Sequence, residues 1–110
     1  AELVYGLRNF VENAVGFADK TVTLQGHWNG DRIFIDIRDD GPGFDPGIMG
    51  KLGEPYVSGR EDGEAAGGLG LGFFIAKTLI ERTGGTVTFG NLKTRGARIL
   101  LEWPKEALKI

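Results

Sequence analysis

Arg32-Ile33-Phe34-Ile35-Asp36-Ile37-Arg38-Asp39-Asp40-Gly41-Pro42-Gly43-Phe44 is the most informative stretch of this 110-residue chain. Isoleucine recurs at every second position from 33 to 37, the two-residue period of a strand with one apolar face, and the spacing predicts a strand over Arg32–Arg38. Position 39 continues that parity. If the strand runs that far, the Asp39 carboxylate points to the apolar side, where a charge needs donors such as a ligand amino group. The alternative is that Asp39-Asp40-Gly41 leaves the strand into a solvated turn, for which Asp and Gly are the usual residues.

Working outward, Thr21–Trp28 has strand character and is joined to the isoleucine strand at Asn29-Gly30, a two-residue hairpin signal. Residues 2–18 repeat apolar side chains at helical spacing through Leu3, Leu7, Phe10, Ala14 and Phe17, with Val4, Val11, Val15 and Ala18 widening the stripe. On a helix, Gly6, Asn9, Asn13 and Gly16 fall on a second face made only of glycine and carboxamide, open to a polar visitor. Beyond residue 40 periodicity stops until Leu71–Arg82, a helix with Phe74, Ile75, Thr78 and Leu79 at helical spacing and a Gly84-Gly85 exit. Thr86–Leu92 and Ala97–Trp103 form a closing hairpin around residues 93–96. The order predicts an α+β two-layer sandwich, with helices on one face of a mainly antiparallel, mixed sheet.

Bulk composition narrows the function. A net charge of −2 disfavours a nucleic-acid surface, and no apolar run is long enough to span a membrane. The absence of cysteine excludes disulfides and thiolate metal sites and fits a cytoplasmic domain. The opening Ala1-Glu2, already inside the first helix, points to a piece of a longer protein. Glycine is abundant, 19 residues, most of them between Gly41 and Gly72. A loop of that length is characteristic of a lid or of a disordered segment.

Gly68-Leu69-Gly70-Leu71-Gly72, just before a helix, places backbone N–H groups and a positive helix end where phosphates bind; it serves helix–sheet packing equally well. No Gly-Lys-Ser/Thr follows, so it is not a P-loop, and no strand precedes it as in a dinucleotide fingerprint. Asn9 and Asn13 lie one helical turn apart. A carboxamide oxygen suits Mg2+, and the same side chains can instead bond neighbouring loops or each other. Lys77 fits a solvated surface position. His27 reads as structural or exposed, and Trp28 and Trp103, near strand ends, as core.

Together these segments resemble the histidine-kinase ATPase family, which shares its Bergerat-type fold with gyrase-, MutL- and heat-shock-chaperone-type ATPases. The likeness runs from about Leu3 to Trp103. Asn9-Phe10-Val11-Glu12-Asn13-Ala14 looks like the N box, Asp39-Asp40-Gly41-Pro42-Gly43-Phe44 the first glycine box, and Gly68–Gly72 the second. Leu52-Gly53-Glu54-Pro55-Tyr56 stands where the F box belongs, with Tyr56 in place of phenylalanine. The wording of Tyr5–Asn9 and Gly53–Tyr56 is closest to redox-responsive RegB/PrrB-type sensor kinases.

The resemblance implies ATP and Mg2+ as cofactors and transfer of the γ-phosphate to a histidine on separate dimerisation helices. A response regulator would be the indirect partner, the isolated domain a monomer and the full protein a homodimer. In it Asn13 is the Mg2+ ligand and Asp39 accepts from the adenine amino group. Phe17 packs on adenine, and Gly41 and Gly43 let backbone approach the base. Gly68, Leu69, Gly70, Leu71 and Gly72 form the phosphate segment of an ATP lid, with Arg60 a γ-phosphate contact and Asn9 a catalytic-site position. Two departures stand out: Gly16 replaces the Lys or Arg that many relatives carry, and the strand that relatives place before the N-box helix is missing. Related hydrolases carry a glutamate base at position 9, where this chain has Asn9, which cannot take a proton from water. Anti-sigma-type serine kinases and inactive nucleotide-binding interaction modules share these motifs and remain alternatives.

Overall fold

The computed structural model describes residues 2–47, 52 and 71–108. Helix α1 spans Glu2–Phe17, β1 Val22–Asn29, β2 Arg32–Asp39, α2 Leu71–Arg82, β3 Thr86–Asn91 and β4 Ala97–Pro104, followed by a short 3-10 turn over Lys105–Leu108. The four strands form one sheet in the order β1-β2-β4-β3, and all three ladders are antiparallel. The expected sandwich is present, without a parallel pair among the described residues.

Both helices lie on one face of the sheet. Ile37 of β2 and Ile99, Leu101 and Trp103 of β4 are buried there with Phe10 and Ala14 of α1 and Phe73, Ala76 and Ile80 of α2. Strand β4 alternates buried and half-buried residues along its whole length, the pattern of a central strand with one face packed. An aromatic cluster of Phe10, Phe44, Phe73 and Phe89 fills the space between the helices and β3, with centroids 5.2–6.0 Å apart.

Several faces differ from those expected. The core side of α2 is Phe73, Ala76 and Ile80, whereas Phe74 and Ile75 are exposed. On α1, Val4 and Val15 are exposed, and Gly6 is buried rather than part of a polar face. A Cβ at Gly6 would stand 3.0 Å from Ile80 Cδ1 and 3.1 Å from the Ala76 carbonyl oxygen, so its glycine lets the helices approach. Trp103 is fully buried, its indole N–H donating to Thr83 Oγ1 at 2.7 Å. Trp28, also expected in the core, is 77% exposed. It shares the helix-side face with Leu24, in register with Ile33 and Ile37, but the helices lie over the other strands and leave that part of β1 uncovered.

The turns follow backbone sterics. The β1–β2 hairpin closes at Asn29↔Arg32, so its two turn residues are Gly30 and Asp31, one position beyond the Asn29-Gly30 expected. Gly30 supplies the positive φ (58°) that the tight turn needs. Helix α2 ends in a Schellman motif: Gly85 N–H reaches the Ile80 carbonyl, Gly84 N–H reaches Glu81, and Gly84 sits at φ 90°.

On the opposite face of the sheet, Asp36 is only 3% exposed beneath Arg38 and Arg98. Arg38 and Arg98 are paired across β2 and β4, a placement that repels unless a carboxylate lies between them. Both guanidinium groups donate to Asp36, at 3.0–3.3 Å. Desolvation pushes the Asp36 carboxyl upward, but hydrogen bonds and charge from the two arginines outweigh it and hold it below the usual carboxylate range.

Candidate functional site: the corner between the first helix and the second strand

Strand β2 includes Asp39, so the parity argument holds and the carboxylate lies on the helix side, 4% exposed. Its Oδ1 accepts from Gly41 N–H at 2.9 Å and from Ala97 N–H, at the start of β4, at 3.4 Å. Carboxylate oxygens accept, so these backbone donors orient the buried side chain.

The next residue anchors the corner. Asp40 accepts from the backbone N–H groups of Asp19 (2.8 Å), Lys20 (3.0 Å) and Thr21 (3.1 Å), the link between α1 and β1. Hydrogen bonds from Lys20 and Thr21, with a further one from Asp19, lower its pKa. Sequence reading took Asp40 as an ordinary turn residue. Its partners are about twenty residues upstream, beyond the reach of any local pattern.

Gly41 is then pressed against the end of α1. A Cβ there would stand 2.1 Å from the Phe17 carbonyl oxygen, and one at Gly43 (φ 83°) would stand 2.7 Å from Asn91 Oδ1. Both glycines are therefore demanded by packing, whatever ligand comes near them. Gly96 is demanded in the same way, since a Cβ there would meet the Asp39 carbonyl oxygen at 1.8 Å.

Helix α1 completes the corner. Asn9, Asn13 and Phe17 are each half-buried, at successive turns of the helix. Asn13 Oδ1 is inaccessible to solvent and has no hydrogen-bond partner among the described residues. A buried acceptor left unpaired costs about 1–3 kcal/mol, which a cation or donor arriving with a ligand relieves. A hard carboxamide oxygen in that state fits Mg2+. Gly16 has no atom within 4 Å of an added Cβ.

The structure thus brings Asn13, Phe17, Asp39, Gly41 and Gly43 to one corner: Phe17 is one turn beyond Asn13, its carbonyl meets Gly41, and Gly41 N–H holds Asp39. Leu71 and Gly72 open α2. Arg60, Gly68, Leu69 and Gly70 lie outside the described residues, as does most of the expected lid. Among the described residues no cluster of histidine, cysteine and carboxylate groups is arranged to hold a metal.

Residues 1–107 match the family model described as histidine kinase-, DNA gyrase B-, and HSP90-like ATPase. The chain belongs to that ATPase family. Sensor histidine kinase RegB of Cereibacter sphaeroides is 42% identical over an alignment covering 99% of this chain and 27% of RegB. Sensor protein KdpD of Escherichia coli is 30% identical across 91% of this chain and 11% of its own length. The chain thus spans about a quarter of RegB and less of KdpD. The crystal structure of full-length ShkA in complex with AMPPNP superposes with a TM-score of 0.75 at 31% identity, over 94% of this chain and 21% of ShkA. The nucleotide-free catalytic domain of histidine kinase ThkA gives 0.77 at 21% identity, over 94% of this chain and 67% of that domain, and shares the fold. Both the family and its RegB-like branch agree with the motif wording. Among the described residues no helix is long and apolar enough to cross a membrane.

Proposed function

We propose that this ATPase-family domain binds Mg-ATP in the α1–β2 corner and donates the γ-phosphate to a histidine on separate dimerisation helices, in two-component signalling. The observation that carries the metal half of the site is the buried Oδ1 of Asn13, on the turn before Phe17, which has no partner among the described residues. Asp39 accepts from the adenine amino group, which adds a ligand donor to a carboxylate already oriented by the backbone N–H groups of Gly41 and Ala97. Phe17 lines the base, and residues 68–72 with Arg60 serve the phosphates. Asn13 would hold Mg2+, which would supply charge neutralisation at the phosphates.

What the protein itself does in phosphoryl transfer is position and neutralise; the acceptor imidazole is already a nucleophile. Asn9 takes the place of a general base in hydrolytic relatives and cannot activate water, which favours the kinase over the ATPase reading. The work falls on the cytoplasmic side, with a dimeric parent and a response regulator downstream.

The test supplies the chain with its own dimerisation helices in trans. Acid-labile phosphate should appear on their histidine, and Asn13→Ala, which raises helix propensity and so spares the fold, should abolish it. Rapid phosphate release by the chain alone would overturn the kinase reading. Labelling of the helices by Asn13→Ala would remove the metal assignment.

A further inference from the structure

We propose that Asn91, the last residue of β3, is a positioning residue for the adenine end of the site, acting through the glycine turn without touching the ligand. Its carboxamide spans 47 residues of sequence to grip one backbone unit: Oδ1 accepts from Phe44 N–H at 2.7 Å, and Nδ2 donates to the Phe44 carbonyl at 2.9 Å. Only a side chain with a donor and an acceptor side by side makes that pair of bonds. Phe44 is 2% exposed, its ring edge-on to Phe73 and Phe89, so the gripped residue is itself fixed in the core.

Asn91 also sits opposite Ala97 in the β3–β4 ladder, and Ala97 N–H donates to Asp39. One β-bridge therefore holds both ends of the segment from Asp39 to Phe44. Asp40 holds a third point through the α1–β1 link. Between these anchors stand Gly41 and Gly43, the residues with the most backbone freedom. Released from Asn91, the Phe44 end lets Gly41 shift, and Gly41 N–H is a donor that orients the Asp39 carboxylate. What is lost is the aim of the carboxylate, and with it the preference for a purine carrying an exocyclic amino group over one carrying a carbonyl.

The proposal rests on the assignment of Asp39 to adenine, and the experiment separates the two. ATP and GTP affinities are measured for the wild-type chain, Asp39→Ala, Asn91→Ala and Asn91→Asp by competition against a fluorescent ATP analogue, each variant first checked by thermal melting. Asn91→Ala should weaken ATP about tenfold and GTP by less than about twofold, because only ATP uses the aimed carboxylate. Asn91→Asp keeps the acceptor but not the donor, and its ATP/GTP ratio should also narrow. Wild-type ATP affinity in Asn91→Ala, or equal weakening of ATP and GTP, would overturn the positioning role; the second result is what loss of structure alone produces. Should Asn91→Ala fail to fold, Asn91→Asp carries the same comparison. If Asp39→Ala binds ATP as wild type does, the adenine assignment falls, and the proposal with it.

Discussion

The carbonyl oxygen of Phe17 and the α-carbon of Gly41 are packed so closely that a Cβ at 41 would stand 2.1 Å from that oxygen. The obstacle is backbone at the end of a helix, which cannot swing aside as a flexible side chain would. Gly41→Ala should therefore lose roughly 1–3 kcal/mol of stability or more, read from urea denaturation. Gly16→Ala, one residue before Phe17 with open space around it, should be neutral or gain up to about 1 kcal/mol from helix propensity. A Gly41→Ala variant as stable as wild type would mean that the corner relaxes freely.

Asp39 is expected to discriminate bases. Its replacement by alanine removes a charge-assisted acceptor, which is worth about 1.5–3 kcal/mol, or ten- to hundredfold in ATP affinity. GTP should bind the wild-type chain poorly and be little affected by the change. Calorimetry on folded Asp39→Ala checks this; unchanged ATP affinity takes the residue out of the site.

The two carboxylates with lowered pKa set the acid limb of stability. A group whose pKa is depressed by folding stabilises the native state above its unfolded value, near pH 4, and loses that contribution as pH falls through the folded value. Asp36 and Asp40 both belong to this case. Unfolding free energy should thus fall as pH drops below about 4, and Asp36→Asn and Asp40→Asn should each flatten the fall. Their deficit relative to wild type should be largest at neutral pH and shrink in acid. Denaturant titrations across that range decide it; a deficit that stays constant with pH would mean that neither carboxylate is linked to folding.

The two tryptophans should behave as opposites. Trp28→Phe is expected to change stability by less than about 0.5 kcal/mol, as an exposed site does, and acrylamide should quench Trp28 readily. Trp103→Ala should lose about 3–5 kcal/mol, since the ring is fully buried and its N–H is bonded to Thr83. Fluorescence quenching of the two single-tryptophan variants reads the same contrast directly. Equal quenching would contradict the uncovered β1 face.

Element type and order were legible in the sequence because they follow from periods of two and of about 3.6 residues and from glycine at turn positions, all local properties. The alternation Ile33, Ile35, Ile37 even placed Asp39 on the correct side of the sheet, and the four boxes carried the family. The same rule applied to Val87, Phe89 and Asn91 points Asn91 inward, although its partner Phe44 is 47 residues away. Local periodicity is silent about where a helix comes to rest over a sheet. That placement exposes Trp28 and buries Trp103, sets Gly6 beneath Ile80, and makes Phe73 rather than Phe74 the core residue of α2. It also draws Asp36 to Arg98 across 62 residues, Asp40 to the amides of the α1–β1 link, and leaves the Asn13 oxygen buried without a partner among the described residues. Each of these depends on surfaces distant in sequence packing at near-crystal density, where a single methyl group decides whether two backbones can meet.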